Sequence, residues 1–234
     1  MKLNFLGRGA SFYPQAGNNA AYFIDSDELF LIDCGEDVFG KLMGYGMFKG
    51  IKKVNLLVTH LHSDHIGSLG SLILFCHFAL RNDLNIIIEE DLKYLEDLKR
   101  LVEIFGCTNE MVNYVLSKDL KGYQLFDEIK FVETYHCPTL DCYGIKFKKG
   151  DIVTYYSGDT RELCQARDIL ENEQVDYVYI DVNTSNAKER VHICIDEVLK
   201  LDPKYYSYIY CMHVNNQECI EKIQAAGLNL VEIA

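Results

Sequence analysis

The chain has 234 residues, of which 49% are apolar and 25% charged, enough to bury a sizeable core and ordinary for a globular protein. A formal charge of −12 excludes broad electrostatic binding to a polyanionic backbone, although bound cations can reverse the sign locally for a small phosphorylated substrate. The longest apolar run, 69–80, is broken by Ser71 and His77 and is too short to span a bilayer, so no membrane association is expected.

In chain order, 3–7, 19–25 and 29–35 read as β-strands, with Asp27 and Glu28 forming the turn between the last two. Residues 36–46 read as a short helix ended by glycine, and 54–60 as a buried strand that stops at a histidine-rich stretch. A buried helix over 66–81, a strand over 85–89 and an amphipathic helix over 91–106 follow. The stretch 107–128 has no clear period and is expected to hold some helix and then loop. Strands are expected over 129–136, 143–150 and 151–159, the last two joined by the turn Lys148-Lys149-Gly150-Asp151. Helices over 161–173 and 191–201 flank a strand over 176–182, and a strand over 206–213 comes next. The helix 215–227, with Asn215 as N-cap and Gly227 as its stop, precedes a closing strand. With no linker and no clear repeat, one domain spanning 1–234 is expected, built from sheets packed together with helices outside. Nine cysteines without a C-x-x-C pair, and no apolar leader at the N-terminus, point to reduced thiols and a cytoplasmic protein.

The stretch Thr59–Gly70, THLHSDHIGSLG, carries the chemistry. A strand bearing His60 and His62 puts both imidazoles on one side, and after a turn Asp64 and His65 can face a second position nearby. Neutral imidazole and carboxylate suit zinc and similar divalent ions. A closed structural zinc site leans on cysteine, and no cysteine falls in this stretch.

The pattern H-x-H-x-D-H after an apolar strand resembles the signature of the metallo-β-lactamase superfamily. That resemblance implies an α/β fold, an αββα sandwich of two mixed β-sheets flanked by helices, with the site at one edge on loops after the strands. It also implies further ligands. His136, ending 129–136, would join His60 and His62 on one metal. His213, ending 206–213, would join Asp64 and His65 on a second. Asp159, in YYSGDT, would bridge the two. The cofactors implied are two divalent metal ions, zinc first, with manganese or iron as alternatives.

The opening LGRGASFYPQAGNN, followed by LIDCG, is similar to the start of the branch that includes ribonuclease Z and small-molecule phosphodiesterases. In that branch an acidic residue orients a histidine that protonates the leaving group or stabilises the charged phosphate. Asp181 and His192 match these positions, although the branch more often has glutamate where Asp181 stands. Asp64 would act as base or orient the nucleophile. Ribonuclease Z inserts a tRNA-gripping arm between the positions of His136 and Asp159. The interval here holds little more than a hairpin, so nucleic acid is not an expected partner. The resemblance thus implies a hydrolase in which a hydroxide between two metals attacks a small or cyclic phosphodiester, as a homodimer of the kind common in this branch. A thioesterase or lactonase on the same scaffold is the alternative, with tRNA processing and a non-catalytic sensor ranked lower. An aspartate at 159 argues against a β-lactamase. His77 is read as a core or partly buried histidine outside the site.

Overall fold

The structure, a computed structural model, describes residues 1–122 and 126–234. Strands β1 (Asn4–Gly7), β2 (Ala20–Asp25), β3 (Glu28–Ile32), β4 (Lys53–Leu57), β5 (Leu84–Ile88) and β6 (Val112–Leu116) form one sheet in chain order. Its first three strands pair antiparallel and β3 to β6 pair parallel. The second sheet holds β7 (Glu128–Glu133), β8 (Tyr143–Lys149), β9 (Ile152–Tyr156), β10 (Tyr177–Asp181), β11 (Ile209–Met212) and β12 (Asn229–Leu230), again in chain order. It repeats the pattern: β7 to β9 antiparallel, β9 to β12 parallel.

Parallel neighbours need crossovers, and these supply the outer layers. On the first sheet they are α1 (Val38–Gly44), α2 (Ser63–Ile66), α3 (Leu69–Phe75) and α4 (Leu92–Ile104). On the second they are α5 (Cys164–Asn172), α6 (Ile195–Val198) and α7 (Gln217–Ala225). Side-chain alternation sorts the second sheet cleanly. Tyr156, Tyr179 and Met212 join the core between the sheets, whereas Tyr155, Val178, Ile180 and Cys211 join a separate core under α5 to α7. The architecture is the expected αββα sandwich. Among the described residues no helix is long and apolar enough to cross a membrane.

A polar ladder crosses the parallel part of the first sheet. Asn55 donates to Glu28 (2.9 Å), Asn85 to Asn55 (2.8 Å) and Asn113 to Asn85 (3.2 Å). A slip of β4 or β5 by one residue would bury these amides without partners, so the ladder holds the register of strands that are otherwise almost wholly aliphatic.

Several elements differ from expectation. The β2–β3 turn falls on Ser26 and Asp27, with Ser26 at φ 58°, and Glu28 already pairs in β3. Strand β4 ends at Leu57, so His60 and His62 lie beyond the ladder on an extended loop. The helix expected over 66–81 divides into α2, α3 and a π-helical segment at Cys76–Leu80. Within 107–128, β6 was missed, because an edge strand with a mostly half-exposed surface has no strong period; residues 123–125 of that stretch lie outside the described residues. Helix α6 covers only part of 191–201, because Cys194 bridges to Asn183 and stays extended, so the helix begins at Ile195. Residues Pro203–Tyr208 form a 3-10 turn in which Pro203 removes a donor, which delays β11 to Ile209. The cap of α7 is Asn216, whose side chain accepts from the Cys219 N–H (2.8 Å); Asn215 instead bonds to Thr184.

Candidate metal centre and active site

Every expected site residue lies at the same end of the sandwich, at or after the C-terminal end of a strand. Close backbone contacts bring the loops together. The Cys34 N–H donates to the His65 carbonyl (2.6 Å), and a Cβ on Gly35 would stand 2.0 Å from the Asp64 carbonyl oxygen, so only glycine permits that approach. On the other sheet Gly158 takes φ 58° directly before Asp159, with the Tyr143 carbonyl 2.4 Å from where a Cβ would be.

Two groups of donors result. His62 Nδ1 lies 3.0 Å from His60 Nε2 and 3.1 Å from His136 Nε2. Asp64 Oδ2 lies 3.5 Å from His65 Nε2 and 3.3 Å from His213 Nε2. Asp159 Oδ2 stands between the groups, 3.8 Å from His60, 3.7 Å from His136, 3.4 Å from His65 and 3.4 Å from His213. All these side chains are buried except His62, which is partly exposed.

The outer ring nitrogens decide what the inner ones can do. His136 Nδ1 donates to the Val191 carbonyl (2.8 Å), so its Nε2 carries a lone pair. Thr59 Oγ1 donates to Asp33 (2.8 Å) and therefore accepts from His60 Nδ1 (3.1 Å), leaving His60 Nε2 unprotonated as well. His65 Nδ1 donates to Asp33 Oδ2 (2.8 Å), and its buried Nε2 has no hydrogen-bond partner. The unprotonated Nε2 atoms of His60 and His136, each about 3 Å from His62 Nδ1, together with an orphaned buried nitrogen and a central carboxylate form a donor set that fits divalent cations.

The electrostatics agree. Burial and the surrounding imidazoles hold His60 well below the usual imidazole range. Burial opposes charge on His213, but Asp159, Asp181 and Asp64 together raise it to about 10. Burial likewise opposes charge on His65, and Asp159 with Asp33 still lifts it well above the ordinary value. Burial pushes the Asp159 carboxyl up, yet His213, His65 and His60 keep it well below the carboxylate range. The carboxylates are thus anionic, and the histidines holding protons do so only in response to them.

Asp181 is fully buried at the end of β10. Its Oδ2 accepts from His192 Nδ1 (2.8 Å) and from the Thr160 N–H (3.1 Å), and its Oδ1 lies 3.4 Å from His213 Nδ1. His192 is partly exposed, with its ring 4.9 Å from that of His136 and 5.0 Å from that of His213. Its imidazole is lowered by burial but raised further by Asp181 and Asp159, to a net upward shift. His77 stays outside the site, paired with Asp83 at 2.7 Å.

Asp33 went unrecognised as a site residue. It accepts from the Thr59 N–H (2.9 Å), Thr59 Oγ1 and His65 Nδ1 while sitting at φ 66°. The signal was a lone carboxylate closing the apolar run FLID, since a buried charge demands partners. A cavity of about 730 Å³ near Phe126, Phe131 and Phe147 contains no member of the donor set.

Fold and donor set together define a metal-dependent hydrolase of the metallo-β-lactamase superfamily, in the branch that includes ribonuclease Z and phosphodiesterases. The interval between His136 and Asp159 holds only the β8–β9 hairpin and its approach, so the tRNA-binding arm is absent. The family profile of the Anti-Pycsar protein Apyc1 matches residues 1–233, and the chain belongs to that family. It is 25% identical over 239 residues to the Anti-Pycsar protein Apyc1 of Paenibacillus sp. (strain J14), covering 98% of this chain and 95% of that protein. It is 29% identical over 140 residues to a ribonuclease Z of Haloarcula marismortui, covering 58% of this chain and 44% of that enzyme. The metallo-β-lactamase fold protein YhfI from Bacillus subtilis superposes with a TM-score of 0.72 at 18% identity, covering 99% of this chain and 95% of that one.

Proposed function

We propose that the protein is a dinuclear metal-dependent phosphodiesterase that opens small cyclic phosphodiesters, with cyclic nucleotides as the substrate class. The match to the Anti-Pycsar protein Apyc1 family over residues 1–233 supports that class. The observation that carries the reading is the Asp181–His192 pair at 2.8 Å beside the donor set. The thiolate leaving from a thioester needs no such proton donor, whereas the alkoxide leaving from a phosphodiester does.

In this reading His60, His62 and His136 would hold one divalent ion and Asp64, His65 and His213 a second, with the Asp159 carboxylate available to either. Bound there, the ions supply an acidified water and neutralise the phosphoryl oxygens. The protein does the rest. Asp64 accepts the proton of the attacking water. Asp181 takes the Nδ1 proton of His192 into its hydrogen bond, which turns Nε2 toward the substrate. As the new P–O bond forms and the ring P–O bond breaks, His192 gives a proton to the departing oxygen, leaving a phosphomonoester. Val191 and Asp33 keep His136 and His65 in the tautomers this arrangement needs.

The test is hydrolysis of nucleoside 3′,5′-cyclic monophosphates and of bis(p-nitrophenyl) phosphate by the zinc- or manganese-loaded protein, with Asp159→Ala as the contamination control. Turnover abolished in the variant is the expected result. A protein with both ions bound that cleaves thioesters or lactones but no phosphodiester overturns the reading.

A further inference from the structure

A second cavity, about 420 Å³, is lined by Arg161, Arg167, Arg190 and Lys200 together with Glu162 and Glu197. In a chain of charge −12 this is a local reversal of sign. The cations are not fully neutralised. Arg190 pairs with Glu197 (2.5 Å), but its Nε is buried without a hydrogen-bond partner. Arg161 reaches Glu162 only at 3.9 Å, and both are substantially exposed. Among the described residues Arg167 and Lys200 make no ion pair. Helix α5 begins in the same wall with no side-chain cap and no acidic residue in its first turn, so the positive end of its dipole adds to the potential.

The wall shares its backbone with the site. Arg161 stands two residues after Asp159, and its N–H donates to the carbonyl of Tyr135, the neighbour of His136 (2.7 Å). Arg190 stands two residues before His192, on the strand of chain whose Val191 carbonyl holds His136 (2.8 Å). Two residues of chain span at most about 7 Å, so both arginines begin within one phosphodiester's reach of the reacting groups.

We propose that Arg161, Arg167, Arg190 and Lys200 form an anion-collecting entrance to the active site, which draws phosphodiester monoanions toward an otherwise acidic protein and favours them over neutral esters. The proposal rests on the phosphodiesterase reading for the identity of its anion, and on the cavity and its charge for everything else. A low-dielectric cleft lined with one sign of charge raises the local concentration and arrival rate of a counter-charged ligand, and salt screens the effect.

The experiment compares the metal-loaded full chain with Arg167→Glu/Lys200→Glu and Arg167→Gln/Lys200→Gln, positions whose exposure spares the fold. The value of kcat/KM for bis(p-nitrophenyl) phosphate is followed from 25 to 500 mM sodium chloride, with thermal melts as the folding control. Wild type is expected to lose kcat/KM as salt rises. The charge-reversed variant is expected to start about ten-fold lower and the neutral one about three-fold lower, with kcat held within about two-fold and the curves converging at high salt. Parallel titration with phenylphosphonate, a non-hydrolysable phosphoryl anion, should show the same order of affinities. Superimposable salt dependence and equal phenylphosphonate affinity in folded variants overturn the proposal. If wild type cleaves no phosphodiester yet the phenylphosphonate order holds, the phosphodiesterase reading fails and the anion entrance stands.

Discussion

The two sheets follow one topology, three antiparallel strands and then parallel ones, but they deliver their functional residues differently. The first supplies His60, His62, Asp64 and His65 from a single stretch after β4, the connecting loop and α2. The second supplies His136, Asp159, Asp181, His192 and His213 from separate loops along the edge. The repeat extends to equivalent positions. Asp33 follows β3 as Asp159 follows β9, and both carboxylates are buried among histidines. Yet Asp33 serves the outer nitrogen of one imidazole, whereas Asp159 lies among the inner nitrogens of four. A backbone plan used twice has been given one scaffolding carboxylate and one central carboxylate.

Breaking the second-sheet half at its centre should have the largest effect. Asp159→Ala is expected to lower kcat by on the order of 10³-fold and to reduce bound metal, measured by elemental analysis of the purified protein. His192→Ala should lower kcat by on the order of 10² to 10⁴-fold while leaving bound metal at the wild-type level, because His192 serves the leaving group in the proposed mechanism. The same variant sharpens the assignment through pH. Asp181 and Asp159 raise His192 above the ordinary imidazole value. The proton donor is therefore present below its shifted pKa and lost as pH rises through it. Wild-type kcat should decline on the alkaline side, and that limb should vanish in His192→Ala; a limb that persists assigns it to another group.

The two scaffolding carboxylates allow a like-for-like comparison across the sheets. Asp33→Ala strands Thr59 and His65 and should cost about 3 kcal/mol in chemical denaturation, with metal affinity reduced roughly 10 to 100-fold. Asp181→Asn keeps shape and should be milder in stability but should reduce kcat, since the amide no longer draws the Nδ1 proton of His192. Equal metal affinity in Asp33→Ala and wild type would mean that Thr59 and packing alone orient the first-sheet loop. Gly158→Ala, which adds a Cβ at φ 58° against the Tyr143 carbonyl, should cost about 1–3 kcal/mol and move Asp159. His77→Ala is the smallest change: its exposed pairing with Asp83 is worth at most about 1 kcal/mol, and turnover should be unaffected.

Much of this was legible in the sequence, unequally between the halves. Four donors crowded into Thr59–Gly70 announce a metal site without any fold, because the chelating atoms are neighbours in the chain. The donors of the second half are lone histidines and aspartates at strand ends, read only through the resemblance to a known family. Asp33 was visible as a charge in an apolar run, but its partner His65 lies 32 positions away in the chain, so its role was not. Strand β6 gave no periodic signal because its outward face is only half exposed. The repeated topology escaped because it resides in the backbone path, not in the side chains.

Local chemistry in the sequence was sufficient for the alternation of strands and helices and for the first-sheet loop, since these depend on the period of apolar residues and on groups a few positions apart; the αββα class was implied by the family resemblance. The assembled site depended on the tertiary structure. Parallel pairing of β9, β10 and β11 aligns their C-terminal ends, and the packing of one sheet on the other brings Asp159, Asp181 and His213 to His60, His62 and His65. The cationic entrance has the same origin: Arg161, Arg167, Arg190 and Lys200 are unremarkable surface charges along the chain and share a wall only after α5 and the loop to α6 pack against the second sheet.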